Sequence, residues 1–195
     1  MNEFAQKADE PNASGAIFFA GQYGSTAQYA EWIGTATSLP VFDSARTIAD
    51  PENFDFLVLG SSVIIHKLLI RKWVKRHLTA IENKPVILFT VSGAPAGSKL
   101  DEWIAASLPE GLIARVHHVA LRGKLDHGEI GWWVKLILRI GALMNDDPDA
   151  REEELKGFDY MDKSSIAPVL ELIEKCRSNR SEPDLHEQGA KVTTN

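Results

Sequence analysis

The stretch Ala16-Ile17-Phe18-Phe19-Ala20-Gly21-Gln22-Tyr23-Gly24-Ser25-Thr26 constrains the fold of this chain more than any other. Its apolar run is short enough for a buried strand and holds no breaker. Gly21 and Gly24 permit a tight turn and a close approach to a ligand. Ser25 and Thr26 then open a helix that residues 27–36 carry on. A helix start presents unpaired N–H groups and a partial positive charge, so a turn of this kind can cradle a phosphate. No residue from Gly21 to Thr26 is proline, so each can donate a backbone N–H.

The rest of the chain repeats the alternation. Apolar runs at 39–42, 56–60, 86–91 and 114–121 read as strands, and 67–80, 100–108, 131–144 and 164–177 as helices. A turn or two of helix is expected at 45–49. Strands alternating with helices imply a parallel sheet covered on both faces. We therefore expect an α/β three-layer sandwich with five parallel strands and an insertion before the last helix; a common five-strand order of such doubly wound sheets is 2-1-3-4-5. Residues 1–15 read as an N-terminal arm, 16–177 as one domain, and 178–195 as a polar tail.

In open parallel sheets, ligands bind outside the carboxyl ends of the strands, where the strand order reverses. Strands one, three and four end in loops of small residues: Gly21 to Thr26, Gly60-Ser61-Ser62, and Ser92-Gly93-Ala94-Pro95-Ala96-Gly97. In the expected order these strands are neighbours, so their loops surround one crevice.

Three phosphate-binding schemes compete for that crevice. A nucleoside-triphosphate loop needs a lysine before its Ser/Thr, and here Gly24 precedes Ser25. A dinucleotide fold needs three spaced glycines, and only Gly21 and Gly24 are available, although Asp43 lies where a ribose-binding acid would. A mononucleotide phosphate ringed by backbone N–H groups and hydroxyls suits Gly24-Ser25-Thr26 best.

The remaining composition narrows the classes. The net charge of −6 argues against a duplex-DNA binder that works by neutralising phosphates. The single cysteine, Cys176, excludes an internal disulfide framework and suits a reducing compartment such as the cytoplasm. His117 and His118 alternate across a strand, so they do not share a metal, and no metal site is expected. Ser61, Ser62 and Ser92 lack the G-x-S-x-G setting of a hydrolase nucleophile. The helix led by Trp132 and Trp133 carries Lys135 and Arg139; it suits either packing on the sheet or peripheral contact with a membrane. The basic stretch 67–76 reads as a solvated face or as an anion contact.

Several short motifs share one order and spacing: Tyr23-Gly24-Ser25-Thr26, Phe54-Asp55-Phe56-Leu57-Val58-Leu59-Gly60-Ser61-Ser62-Val63, Asn83-Lys84-Pro85-Val86, Leu121-Arg122-Gly123, 133–140, and Phe158-Asp159-Tyr160-Met161-Asp162. Together they resemble the flavodoxin-like proteins related to menaquinone-dependent protoporphyrinogen IX dehydrogenase, over most of 16–175. The resemblance implies a flavodoxin-like fold, FMN as cofactor, and an oxidoreductase that takes electrons from protoporphyrinogen IX and passes them to a quinone. It makes Gly21, Gln22, Tyr23, Gly24, Ser25 and Thr26 the phosphate site. It makes Ser61, Ser62, Val63, Ile64, Ile65 and His66, with Ser92, Gly93, Ala94 and Pro95, the loops flanking the flavin ring. No dedicated catalytic acid or base is implied. The family usually carries Ser or Thr at the position of Gly21 and often glycine at that of His66. Losing one hydroxyl-to-phosphate bond costs roughly 1.5–3 kcal/mol. These departures motivate a second reading, a flavin-free flavodoxin-like binding or regulatory module.

Overall fold

A computed structural model describes residues 14–93, 95–125 and 158–178 of the chain. The sheet is built from β1 (Gly15–Ala20), β2 (Val41–Asp43), β3 (Phe56–Ile64), β5 (Val86–Ser92) and β6 (Val116–Arg122), all parallel and ordered β2-β1-β3-β5-β6. This is the expected 2-1-3-4-5 order. A short strand β4 (Lys67–Leu68) pairs antiparallel with the end of β3, and β7 (Lys124–Leu125) pairs with β8 (Phe158–Asp159) in a separate ribbon.

The interior strands β1, β3 and β5 are largely apolar and buried because helices cover both faces, while the edge strands β2 and β6 are only partly buried. Alternate residues feed alternate cores. Ile17, Val58, Ile87 and Phe89 pack with Tyr29, Ala30 and Ile33 of α1 (Ser25–Thr37) and with Val169 and Ile173 of α6 (Ala167–Ser178). Ala16, Phe18, Leu57, Leu59 and Leu88 face the other way. They pack against Trp73 and Val74 of α2 (Arg71–Arg76), Ile81 of α3 (Leu78–Ile81), Leu100 and Ile104 of α4 (Ser98–Ala105), and Leu112 of α5 (Glu110–Ile113). Each such aliphatic or aromatic side chain contributes about 1.5–3 kcal/mol through burial. Phe18 also stacks on Trp73 at 4.7 Å.

Three local expectations need correction. The helix expected at 67–80 starts only at Arg71. The chain does not turn at Ser61-Ser62 either; β3 continues to Ile64, reverses at Ile65-His66, and returns as β4. Ser107 Oγ accepts the Leu68 N–H at 3.1 Å, Ser61 Oγ accepts the Ile70 N–H at 3.2 Å, and Leu68 is fully buried, so 67–70 are tied down as a hairpin arm. The helical run then breaks at His77 (φ −107°), whose ring packs on Trp73. The helix expected at 45–49 is a turn instead. Asp43 Oδ1 accepts the Ala45 N–H, the Asp43 carbonyl accepts those of Arg46 and Thr47, and a 3-10 turn at Pro51–Asn53 follows.

Ser14 and Gly15 belong to the fold: the Asp55 carboxylate accepts the Ser14 N–H at 2.8 Å, and Gly15 opens β1. Ser178 ends α6. The helix expected at 131–144 and the insertion around it lie outside the described residues, as do 1–13 and 179–195.

The reversal at Ile65-His66 places both residues at positive φ, 47° and 60°. That is the geometry of a two-residue hairpin turn that favours Asn-Gly, and a β-branched residue there is strained. Ile65 is also 62% exposed. We expect Ile65→Asn to stabilise the protein by about 1 kcal/mol, read as a raised midpoint in urea unfolding.

In the sheet, His118 Nε2 and Thr90 Oγ1 share a 2.8 Å hydrogen bond, and Thr90 is fully buried. Burial pushes the His118 pKa below its ordinary value of 6.5, against an opposing pull from Asp101. Because the folded pKa is the lower one, the unfolded chain binds more protons in the window beneath 6.5. Stability therefore falls as pH drops from above 6.5 toward the folded pKa. Urea unfolding across that window checks this, and His118→Gln flattens the slope.

Candidate functional site

The parallel register brings the carboxyl ends of β1, β3 and β5 to one edge: Ala20 lies beside Ser61, and Ser62 beside Val91. The three loops read from the sequence therefore gather there, with Ala94 outside the described residues.

After β1 the chain turns through Gly21 to Gly24 and enters α1. Gly24 is the N-cap, with φ 83°, and has no side chain with which to cap the helix. The first turn closes with the Gln28 N–H on the Gly24 carbonyl at 2.9 Å. A Cβ on Gly24 would meet no atom, so the space over the turn is open. These features leave the α1 N-terminus able to receive an anion.

The hydroxyls of the turn point elsewhere. Thr26 is only 1% exposed, and its Oγ1 lies 2.7 Å from Ser62 Oγ. Ser25 Oγ accepts the Lys124 N–H at 3.1 Å and donates to the Lys124 carbonyl at 3.5 Å. The Tyr23 ring is partly exposed, but its hydroxyl is turned inward without a hydrogen-bond partner, and burial raises its pKa. Gln22 is exposed. Gly21 is packed so closely on Thr26 that a Cβ there would lie 2.9 Å from Thr26 Cβ. With its hydroxyls engaged or turned inward, the turn offers an anion its backbone N–H groups.

The β3 side of the crevice is the hairpin. Ser61 is fully buried and serves it as a brace: its hydroxyl donates to the Ser62 carbonyl and accepts the Ile70 N–H. Ser62, Val63 and Ile64 are partly exposed, and Ile65 forms the tip. His66 follows at the tip and is exposed. Its ring stacks on Trp103 of α4 at 4.6 Å and 23°.

On the β5 side, Ser92 is buried and its carbonyl accepts the Gly123 N–H at 2.9 Å; Pro95 is exposed. The ring of Phe158 from β8 lies where a side chain on Gly93 would go. Phe158 stacks on Tyr160 at 5.1 Å, and the Arg122 guanidinium lies 4.0 Å over the Tyr160 ring. Tyr29 Oη donates to the Arg122 carbonyl at 2.9 Å and accepts the Asp162 N–H at 3.1 Å, which fastens this corner to α1.

Sequence reasoning did not place Lys124 or Phe158 at the crevice. Ser25 and Lys124 are 99 residues apart, and no local pattern announces such a pairing. A cavity of about 350 Å³ lies elsewhere, between the β2–β3 connection and α2–α3, lined by Thr47, Asp50, Trp73, Arg76 and His77 among others. It includes no residue of the three strand-end loops. Among the described residues, no group of His, Cys, Asp and Glu is arranged to hold a metal, and no helix is long and apolar enough to cross a membrane.

A family model described as a flavodoxin domain matches residues 16–152. The chain belongs to the flavodoxin-domain family. Among solved structures, this flavodoxin-domain protein is similar to a flavodoxin, WrbA-like protein from Agrobacterium tumefaciens. The two share 9% identity at a TM-score of 0.50, covering 85% of this chain and 98% of that one. It is also similar to a flavodoxin from the domain Archaea (14% identity, TM-score 0.42, covering 83% and 99%). A third match is a flavoprotein in complex with FMN from Lactobacillus acidophilus (14%, TM-score 0.41, covering 56% and 92%). At such identities the likeness speaks to fold alone. No curated protein sequence matches the chain.

The tight Gly21–Thr26 contact makes a prediction. Gly21→Ser crowds Thr26, whose Cβ cannot swing away as a flexible side-chain end would. We expect a loss of about 1–3 kcal/mol, read as a lowered thermal midpoint.

Proposed function

We propose that this flavodoxin-domain protein binds FMN at the carboxyl ends of β1, β3 and β5 and works as an FMN-dependent oxidoreductase. The observation that carries the reading is the uncapped N-terminus of α1, open above Gly24 and ringed by the β3 and β5 loops. Backbone N–H groups at the start of α1 hold the phosphate. The hairpin 61–66 and the loop 92–95 flank the ring system. Histidine at position 66 finds a packing partner in Trp103, on which its ring stacks. FMN supplies the redox chemistry, and the protein orients it and limits its exposure.

The finer reading rests on the motif resemblance described above. It takes protoporphyrinogen IX as electron donor and a quinone as acceptor, with peripheral membrane contact through 131–144, in a reducing compartment. A flavin-free binding or regulatory module is the competing reading. Two features favour it: the absent side chain at Gly21, and the hydroxyls of Ser25 and Thr26 already committed to other partners.

A visible absorption spectrum after incubation with FMN and desalting separates these readings. We expect a retained flavin band. Anaerobic mixing with protoporphyrinogen IX then bleaches that band, and an added quinone restores it. A colourless protein that retains no flavin would overturn the oxidoreductase reading in favour of the module. A retained band that the porphyrinogen leaves unchanged would remove only the donor.

A further inference from the structure

We infer that Lys124, the first residue of β7, supplies the positive charge that balances a phosphate monoester bound at the N-terminus of α1. This inference rests on the FMN reading above and concerns the chain's own residues toward the phosphate.

The argument begins from charge. A phosphate monoester carries about −1.5 to −2 near neutral pH. A helix N-terminus offers only about half a positive charge. Neutral hydroxyls around the phosphate would help, but this chain has withdrawn them. Gly21 has none, Thr26 Oγ1 is bonded to Ser62, and the Tyr23 hydroxyl is turned inward. Ser25 Oγ is occupied by the backbone of Lys124 itself.

That last pair of hydrogen bonds fixes where Lys124 sits. Its N–H and carbonyl both engage Ser25, the first residue of α1, and the preceding Gly123 N–H is tied to the Ser92 carbonyl at 2.9 Å. The Lys124 backbone is thus clamped between the end of β5 and the start of α1. Its side chain is exposed, and no ion pair among the described residues engages it. A lysine stem reaches roughly 6 Å, with three rotatable donors at its end. The stem starts at a residue whose backbone is hydrogen-bonded to Ser25, so it begins beside the first turn of α1. Arg122 is the other cation of this turn. Its guanidinium carbon lies 4.0 Å over the Tyr160 ring and its Nε is buried, so it is held in the aromatic stack. The crevice is therefore closed by a segment 99 residues away from the turn it completes.

The test compares FMN with riboflavin, which lacks the phosphate, by fluorescence titration of the full chain. For Lys124→Met we expect FMN affinity to fall about tenfold at low salt and riboflavin affinity to stay within about twofold. Raising the salt weakens FMN binding to the native chain and leaves Lys124→Met nearly unaffected. Lys124→Arg keeps most of the FMN affinity. Equal weakening of both flavins in Lys124→Met would overturn the inference, because it would report a loosened turn and no contact with the phosphate. FMN binding as tight in Lys124→Met as in the native chain would overturn it too, while leaving the FMN reading intact. A native chain that binds neither flavin would overturn both.

Discussion

The structure depends on the parallel pairing of β1 with β3, which runs in register from Gly15 beside Phe56 to Ala20 beside Ser61. β1 also pairs with β2, so it is interior to the sheet, and its side chains are divided between the two cores. Shifting this register by one residue would exchange Ile17 for Phe18 on the face under α1 and reverse every contact along the strand. It would also separate the turn after β1 from the end of β3. The hydroxyl bond between Thr26 and Ser62 exists only because Ala20 and Ser61 lie side by side. The crevice is a consequence of the register as much as of its own residues.

Much of this was legible in the sequence. Five strands follow from their apolar runs, and the small residues at the ends of strands one, three and four mark the crevice; the strand order follows the common pattern of five-stranded doubly wound sheets. The α1 start was legible as well, since Gly24 has the positive φ that a non-glycine residue would resist. The failures have one physical cause: local pattern yields to distant partners. Residues 67–70 have the composition of a helix start, yet the buried hydroxyls of Ser61 and Ser107 take their N–H groups and make them a strand arm and connection. The Ile65-His66 turn lacks the Asn or Gly that announces such a reversal. The stacking of His66 on Trp103, thirty-seven residues on, is a tertiary compensation that no window of sequence contains.

The candidate site divides in the same way. Its backbone, set by glycines and by a helix start, could be read directly. Its side chains could not. Ser25 and Thr26 look like phosphate ligands in sequence and are fasteners in the fold, one holding the β6–β7 turn and the other holding β3. Ser61 looks like a loop residue and is a fully buried brace. Hydroxyl residues near a helix start have two ordinary uses, binding and bracing. Only the partners reveal which applies.

The Thr26–Ser62 pair has a property that a bond between unlike groups lacks. Each hydroxyl can donate or accept, and one proton lies between the two oxygens. The oxygen that accepts keeps its own proton, aimed away from the pair. Reversing the roles moves that outward proton from the first turn of α1 to β3, or back, without displacing a heavy atom. The start of α1 and β3 are thus joined by a bond that has two polarities at one heavy-atom geometry.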